Sequence, residues 1–434
     1  MSTQPLPGFR DFYPADFAFR AHIFETWRAV ARRYGFEEYD GPPLEPLELY
    51  TAKSGEEIVG QLYNFTDKGG REVSLRPEMT PTVARMVAAR AGGMKKPIRW
   101  FSIAQFFRYE RQQRGRLREF YQLNCDLIGE AGPLADAELI ALAVDLMRGF
   151  GLGPGDVRVR MSDRRLLTAV TQELGLSESQ TAVLFQVLDK FGRTPEEVSR
   201  AKLAEAGIAE GAQDQVLRLS RERTLAGLEA VLGTSPRIQA ALAPVRAVLG
   251  ALEGMGLAGF VDLDFTIVRG LAYYTGTVFE LFDAGRSLRA IAGGGRFDGL
   301  LKLLGGVDLP AIGFAIGDVV LGELLKDRGL APPAPATVDI FIAGVTDADL
   351  PHVLGAAHQL RDAGVRAEYA LRVDGLGKQL KLADAREAAL ALVIGPDDRA
   401  RGEVQLKDLR RKTQAPVRQQ DLVSEVKKQL AARD

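Results

Sequence analysis

The 434-residue chain holds one cysteine, Cys125, and only three histidines, His22, His352 and His358. One cysteine forms neither an intramolecular disulfide nor a thiolate zinc site, and it fits a reducing, cytoplasmic setting. The histidines lie in separate helix-like segments, which argues against a His-centred metal site or a Ser/His/Asp triad, and the sequence names no metal ligands. No apolar run is long enough to cross a bilayer, and the opening Met1-Ser-Thr-Gln-Pro-Leu-Pro7 has no secretory pattern, so no membrane partner is expected. Charge of one sign is not in excess either, since 56 Lys and Arg face 57 Asp and Glu for a net charge of −1. Any nucleic-acid binding must therefore come from local patches. The 46% apolar and 26% charged residues are ordinary for a globular protein. The length exceeds what one core usually holds, which suggests two or three domains.

Residues 20–35 read as an amphipathic helix, with Phe24, Trp27, Val30 and Ala31 at helical spacing. Strand signals then dominate at Gln61–Thr66, Glu72–Leu75, Ile98–Tyr109 and Arg118–Ile128, with a helical pattern at Thr80–Ala91. Alternation in Glu119-Phe-Tyr-Gln-Leu-Asn-Cys-Asp-Leu-Ile128 predicts an antiparallel strand with one polar, pocket-lining face. Residues from about 165 to 255 read as a helical insertion, broken at Gly175, Gly192 and Gly207. Strands resume at Val261–Thr266 and Thr277–Phe282, followed by a glycine-rich turn, Gly293-Gly294-Gly295, that leads into Arg296. A stiff Pro/Ala linker spans 331–336. Beyond it Val338–Ile342, Ala367–Ala370, Ala391–Ile394 and Val404–Leu406 alternate with helical stretches. The pattern is α+β over 1–330, with a separate small α/β domain over 337–434.

Four constellations carry chemistry. Phe107-Arg108-Tyr109-Glu110 leads into a polar loop that returns at Arg118, placing five arginines in eleven positions. Arginine's planar fork suits a polyphosphate, although charged hairpin tips are often only solvated. In Leu75-Arg76-Pro77-Glu78-Met79-Thr80-Pro81, Glu78 and Thr80 could hold an ammonium group. Thr80 could equally cap a helix with Pro81 at its first position. Arg269-Gly270-Leu271-Ala272-Tyr273-Tyr274 suggests a cation and a phenol facing one ligand, although Gly-bracketed aromatic turns are also common in hairpins. Gly293–Arg296 permits positive φ or close ligand approach, and a β-bulge explains the glycines equally well.

Taken in order, these segments resemble the histidyl-tRNA synthetases over nearly the whole chain. Arg108–Glu110 with Arg116, Arg118 and Glu119-Phe-Tyr-Gln122 looks like motif 2 of class II synthetases. Phe36–Glu45 looks like motif 1, whose proline, here Pro42, lies at that family's dimer interface. Arg269–Gly276 and Ala290–Asp298 resemble segments peculiar to the histidyl enzymes. Gly377-Lys-Gln-Leu-Lys381, Ala383-Asp384 and Val393-Ile-Gly395 resemble their anticodon-binding domain. The resemblance implies a homodimeric class II fold, an antiparallel-sheet catalytic domain carrying the helical insertion, which activates L-histidine with ATP and Mg²⁺ and loads it onto tRNA(His). It implies that Arg108 and Arg269 act at the α-phosphate and are catalytic. Histidine would meet Glu78, Met79, Thr80, Arg108, Gln122, Asp126, Arg269, Tyr273 and Tyr274. ATP would meet Arg108, Glu110, Arg116 and Arg118.

Two positions depart from the family pattern. Ala272 replaces an aspartate common in the Arg-Gly-Leu-x-Tyr-Tyr stretch. Gly313-Phe-Ala-Ile-Gly317 continues Asp318-Val319-Val320, with Val320 where motif 3 has an arginine for the ATP tail. Both features look closest to a branch resembling plant organellar histidyl enzymes. Val320 also motivates a rival from another class, a histidine-binding regulator resembling the regulatory subunit of ATP phosphoribosyltransferase, although such regulators generally lack the anticodon-type domain. Between Arg401 and Lys428 eight Lys/Arg stand against four Asp/Glu, a local basic bias suited to RNA.

Overall fold

The computed structural model describes residues 3–51, 59–111, 113–268, 274–285, 288–333, 336–372 and 374–432. They fall into two units, Met1–Pro332 and Pro333–Asp434. The strands of the first unit, in chain order, are β1 (Glu37–Glu38), β2 (Leu44–Pro46), β3 (Tyr63–Thr66), β4 (Glu72–Leu75), β5 (Ile98–Phe107), β6 (Glu119–Ile128), β7 (Val157–Asp163), β8 (Val261–Leu263), β9 (Thr277–Asp283), β10 (Ala292–Arg296) and β11 (Ala311–Gly317). Eight of them form one sheet in the order β1-β5-β6-β11-β10-β9-β7-β8, and β2-β4-β3 form a small second sheet. Pairing in the large sheet is antiparallel except at its edges, where β1 runs parallel to β5 and β8 parallel to β7. The unit is α+β.

Alternation decides which face is buried. Along β6, Leu123, Cys125 and Leu127 point into the main apolar core, so Gln122, Asn124 and Asp126 point to the opposite face. The core-side face packs on the helix Pro133–Arg148, eleven of whose sixteen residues are buried. A helix apolar on nearly every side shows no amphipathic period, which is why this element escapes the sequence reading. Six helices from Arg164–Glu173 to Pro236–Gly254 lie between β7 and β8. Asp163, Ser177, Thr224 and Ser235 cap four of them with side-chain oxygens.

Several boundaries move for local reasons. The first helix spans Pro14–Arg33, because Pro14 sits in its opening turn. The helix expected to reach Ala91 ends at Ala88 and gives way to a 3-10 turn over Ala91–Gly93. Gly293–Gly295 are not a turn, a bulge or left-handed residues. They lie in β10, paired on both sides.

The second unit is α/β. Its strands are β12 (Ile340–Gly344), β13 (Ala367–Tyr369), β14 (Leu390–Ile394), β15 (Glu403–Asp408) and β16 (Thr413–Arg418), in the order β13-β12-β14-β15-β16. The first three are parallel and the last two antiparallel. Only Val417 of β16 is buried, so this edge strand gives no hydrophobic alternation to read.

Arg296, at the end of β10, is 1% exposed, and its charge is answered from every side. Its Nε donates to Asp136 Oδ1 at 2.9 Å, and its other nitrogens reach the Glu130 and Gly132 carbonyls and Asp298. Asp136, also buried, accepts from the Thr277 hydroxyl at 2.9 Å. Removing one partner of such a pair strands the other charge. Arg296→Met should lower the unfolding free energy by about 3–5 kcal/mol in denaturant titrations, and a loss under about 1 kcal/mol would contradict a structural role for the pair.

Candidate active site

The polar face of the large sheet carries the candidate site residues of β6, and glycine gives that face depth. Opposite Asp126, Asn124 and Gln122 on β6 stand Gly313, Ala315 and Gly317 on β11. Gly295 and Gly293 of β10 continue the first two rows, ending at Val278 and Glu280 on β9. A Cβ on Gly313 would collide with the Asp126 carboxylate. One on Gly295 would lie 3.1 Å from the Tyr274 ring and 2.7 Å from the Thr277 carbonyl oxygen. These glycines supply close approach rather than unusual φ.

Asp126 is 3% exposed and has no hydrogen-bond or ion-pair partner among the described residues. Burial pushes its carboxyl up to about 7. Tyr274 lies close by. Burial raises its phenol first, and the charges of Glu78, Glu280 and Asp126 raise it further. Glu78 is itself buried, just ahead of the helix Thr80–Ala88. The cap of that helix is Met79, with no side-chain cap hydrogen bond. Thr80 is therefore not the cap, Pro81 is not the first helical residue, and the partly exposed Thr80 leaves its hydroxyl outside the capping scheme. Met79 has its side chain fully buried against Ala104 and Phe106. Arg76 ties this segment down, donating to the Gln105 and Gly41 carbonyls at 2.9 and 2.7 Å and to Asp40 at 2.8 Å.

A second cluster lies beyond β5. Arg108 donates from Nε to the Pro77 carbonyl at 2.9 Å and sits over the Phe120 ring, 5.4 Å from its centroid. Its guanidinium is 4.0 Å from Glu110, whose buried carboxylate pairs with Arg116 at 2.8 Å. Arg118 donates to the Glu110 carbonyl at 3.2 Å and covers the Tyr109 ring at 4.1 Å. Strand geometry stops short of the loop. β5 ends at Phe107 and β6 begins at Glu119, while Gln113–Arg116 make a tight turn around Gly115 at φ +76°. Arg116 and Arg118 thus do not share a strand face, and they meet different groups. Arg114 pairs with Glu323 and Asp327 at 3.0 and 3.2 Å.

Sequence reasoning missed the N-terminal strap across this cluster. The Gly8 carbonyl accepts from Arg118 N and Glu119 N at 3.0 and 3.1 Å. Arg10 then bridges Glu119 at 3.3 Å and Asp318 at 2.8 Å. Asp318 opens the helix Asp318–Asp327 and also accepts from Tyr121 N at 2.8 Å. An acid directly after Gly317 was a first-turn signal, and Glu280 was legible from the alternation of Thr277–Asp283. Arg269, Ala272 and Tyr273 lie outside the described residues. Gln122 faces the same side as Asp126. Among the described residues no three His, Cys, Asp or Glu side chains group closely enough to hold a metal ion, and no helix is long and apolar enough to cross a membrane.

Comparison with known proteins adds the family. Residues 8–318 match the model of the histidyl-tRNA synthetase family, and residues 339–429 match that of an anticodon binding domain. The chain is 48% identical over 417 residues to a histidine–tRNA ligase of Opitutus terrae, covering 95% of each. It is 41% identical over 406 residues to one of Natronomonas pharaonis, covering 93% of each. A crystal structure of a Nostoc histidyl-tRNA synthetase superposes with a TM-score of 0.84 at 25% identity, covering 99% of both chains. A Bacillus halodurans structure described as an ATP phosphoribosyltransferase regulatory subunit/histidyl-tRNA synthetase reaches 0.76 at 22% identity, covering 91% of this chain and 98% of its own, a likeness of fold alone.

Asp126 gives a stability signature. Its pKa is raised from 3.8 to about 7 on folding, so the native state resists its ionisation. The sign follows by linkage. The protonated form costs nothing below about pH 4, and stability falls as pH rises toward and through 7. Asp126→Asn cannot ionise, so it should unfold at higher temperature than the wild type at pH 8. The gain, at most a few kcal/mol at about 1.4 kcal/mol per pKa unit, should fade as pH drops from 7 toward 4. A pH-independent difference would show that the carboxylate is not isolated.

Proposed function

The chain belongs to the histidyl-tRNA synthetase family, and on that premise we propose that it is a histidine–tRNA ligase, making histidyl-adenylate from L-histidine and ATP and passing the histidyl group to tRNA(His). The observation that carries the reading is Asp126, a buried acceptor with no described partner, set beside Tyr274 over a glycine floor. An imidazole offers an N–H donor and an N acceptor, which a carboxylate and a phenol answer from two sides. Apolar isosteres would leave both groups unpaired and be rejected. Glu78, Thr80 and Gln122 take the α-ammonium, with Met79 closing the wall behind them. The family resemblance gives Tyr273 a part in binding histidine as well.

The first step needs no protein nucleophile. The histidine carboxylate attacks the α-phosphorus in line, and pyrophosphate leaves. Arg108, oriented by the Pro77 carbonyl and the Phe120 face, and Arg269 meet the charge that develops on the phosphoryl oxygens. Glu110, steadied by Arg116, receives the adenine amino group, and Arg118 shapes the same loop from behind. Mg²⁺ enters with ATP as part of the substrate and adds positive charge at the phosphates. Holding both reactants in one geometry supplies much of the remaining acceleration. The 3′ end of the tRNA then attacks the mixed anhydride.

Residues 1–330 act as the catalytic domain and 337–434 as the anticodon-binding domain. The turn between β15 and β16 supports the latter role, because the Asp408 carboxylate accepts from Arg410 N and Arg411 N at 3.0 and 2.8 Å and fixes an exposed basic tip. The assembly is a cytoplasmic homodimer meeting through the 36–45 segment, where Pro42, Pro43 and Leu44 are exposed. The regulatory-subunit reading is less supported. Its impetus was Val320, whereas a ligase relative matches 48% of residues across 95% of the chain.

Histidine-dependent exchange of labelled pyrophosphate into ATP tests the activity, and its absence from folded protein would refute it. Arg269→Ala should reduce exchange by about two orders of magnitude, the scale of one preorganised charge donor, with unfolding unchanged. In the same assay Asp126→Asn should raise the histidine KM and leave the ATP KM alone. Equal rises in both would indicate a structural role. Reversing Arg410 and Arg411 to glutamate should raise the tRNA KM in charging while exchange stays normal. Unaltered charging would remove that tip from the RNA interface.

A further inference from the structure

We propose that Tyr39 is a positioning residue of the imidazole pocket, its hydroxyl turning, with that of Ser102, to donate to the Asp126 carboxylate from the β1 side. This rests on the ligase reading and concerns how the acceptor for histidine's N–H is held in its charged form. A carboxylate that accepts from one imidazole nitrogen has a second oxygen. Away from water, that oxygen needs a donor of its own.

The large sheet brings the three groups to one face. β1 runs parallel to β5, with Glu37 beside Trp100 and Glu38 beside Phe101. Tyr39 N extends this ladder, donating to the Phe101 carbonyl at 2.9 Å. Side chains alternate along a strand, so Tyr39 shares its face with Trp100 and Ser102. Those two stand opposite Asp126 and Asn124 on β6. The Tyr39 ring packs on Trp100, centroids 5.1 Å apart, and against the cluster of Met79, Ala104 and Phe106. Its hydroxyl is buried beside that of Ser102, and both fall short of a full hydrogen bond. Asn124, opposite Ser102, turns its amide to the Gln122 carbonyl at 3.4 Å. Two buried hydroxyls and a buried carboxylate thus share one patch of the sheet, and leaving all three unmet costs more than the small rotations that join them. Burial, then the charge of Asp126, raise the Tyr39 phenol well above its usual value, so it keeps its proton and remains a donor. Cys125 and Tyr274, the other titratable groups that sense Asp126, are likewise kept protonated by burial. Asp40, Glu78 and Glu280 are the further carboxylates that act on the two phenols.

Tyr39→Phe removes only the hydroxyl. In pyrophosphate exchange it should raise the histidine KM about tenfold, the scale of a hydrogen bond to a charged group. The ATP KM should stay within about twofold, as for a site with no shared partner. Ser102→Ala should move the histidine KM in the same direction by a smaller factor. Added to Asp126→Asn, Tyr39→Phe should change the histidine KM by less than about twofold, because the charge it serves is gone. Thermal unfolding without substrates gives a readout independent of the ligase reading. Losing the donor makes the folded state resist Asp126 ionisation more strongly, so more stability is lost as pH rises from about 4 through 7. The melting temperature of Tyr39→Phe should therefore drop relative to the wild type between about pH 5 and about pH 8. An unchanged histidine KM, equal rises in both KM values, full additivity with Asp126→Asn, or a pH-independent difference in melting temperature would overturn the proposal. Absence of exchange from folded wild type would instead refute the ligase reading, while the melting series still judges the contact between Tyr39 and Asp126.

Discussion

Asp126 keeps a carboxylate out of water with no described partner to answer it, and much of the first unit is arranged around that cost. Burial alone lifts the group to about 7, which a folded protein tolerates only if the rest of its core is secure. Security comes from the other face of the same strand, where Leu123, Cys125 and Leu127 pack on the helix Pro133–Arg148. Room comes from Gly313 and Gly295, where any side chain would strike Asp126 or Tyr274. The same strand thus stabilises the fold on one side and holds an unmet acceptor on the other.

Two kinds of arginine follow from this arrangement. Arg296 is wholly buried and saturated by Asp136, Asp298 and two carbonyls, so it can offer a substrate nothing. It anchors instead. Its carbonyl accepts from Thr275 N at 2.7 Å, fixing the residue next to Tyr274. Arg108 is held by one carbonyl, an aromatic face and the Glu110 carboxylate 4.0 Å away, which orient its guanidinium and leave most of its donors available. Composition does not separate these cases, since both arginines follow strand residues in motif-like segments.

The N-terminal strap shows a similar economy. Arg10 joins Glu119, at the start of β6, to Asp318, at the start of the helix after β11. Neither carboxylate touches the glycine floor, yet together they set the base of the arginine loop against the helix bearing Val320.

Local pattern by itself determined the elements whose side chains repeat with a period. The polar and apolar faces of Glu119–Ile128, the helical insertion and the α/β tail all follow from alternation or helical spacing. Ordered motifs further identified the family and nominated Asp126, Tyr274, Glu78 and Arg108. The tertiary structure alone decided which of these meet, because proximity between Glu78, Asp126 and Tyr274 is created by strands far apart in sequence. It also turned Gly293–Gly295 from an apparent turn into a paired strand, and removed Thr80 from its expected cap. It exposed the helix Pro133–Arg148, which burial on all sides had stripped of any period. Arg10 and Asp318 pair across 308 positions, and only the folded chain brings such charges within reach of each other.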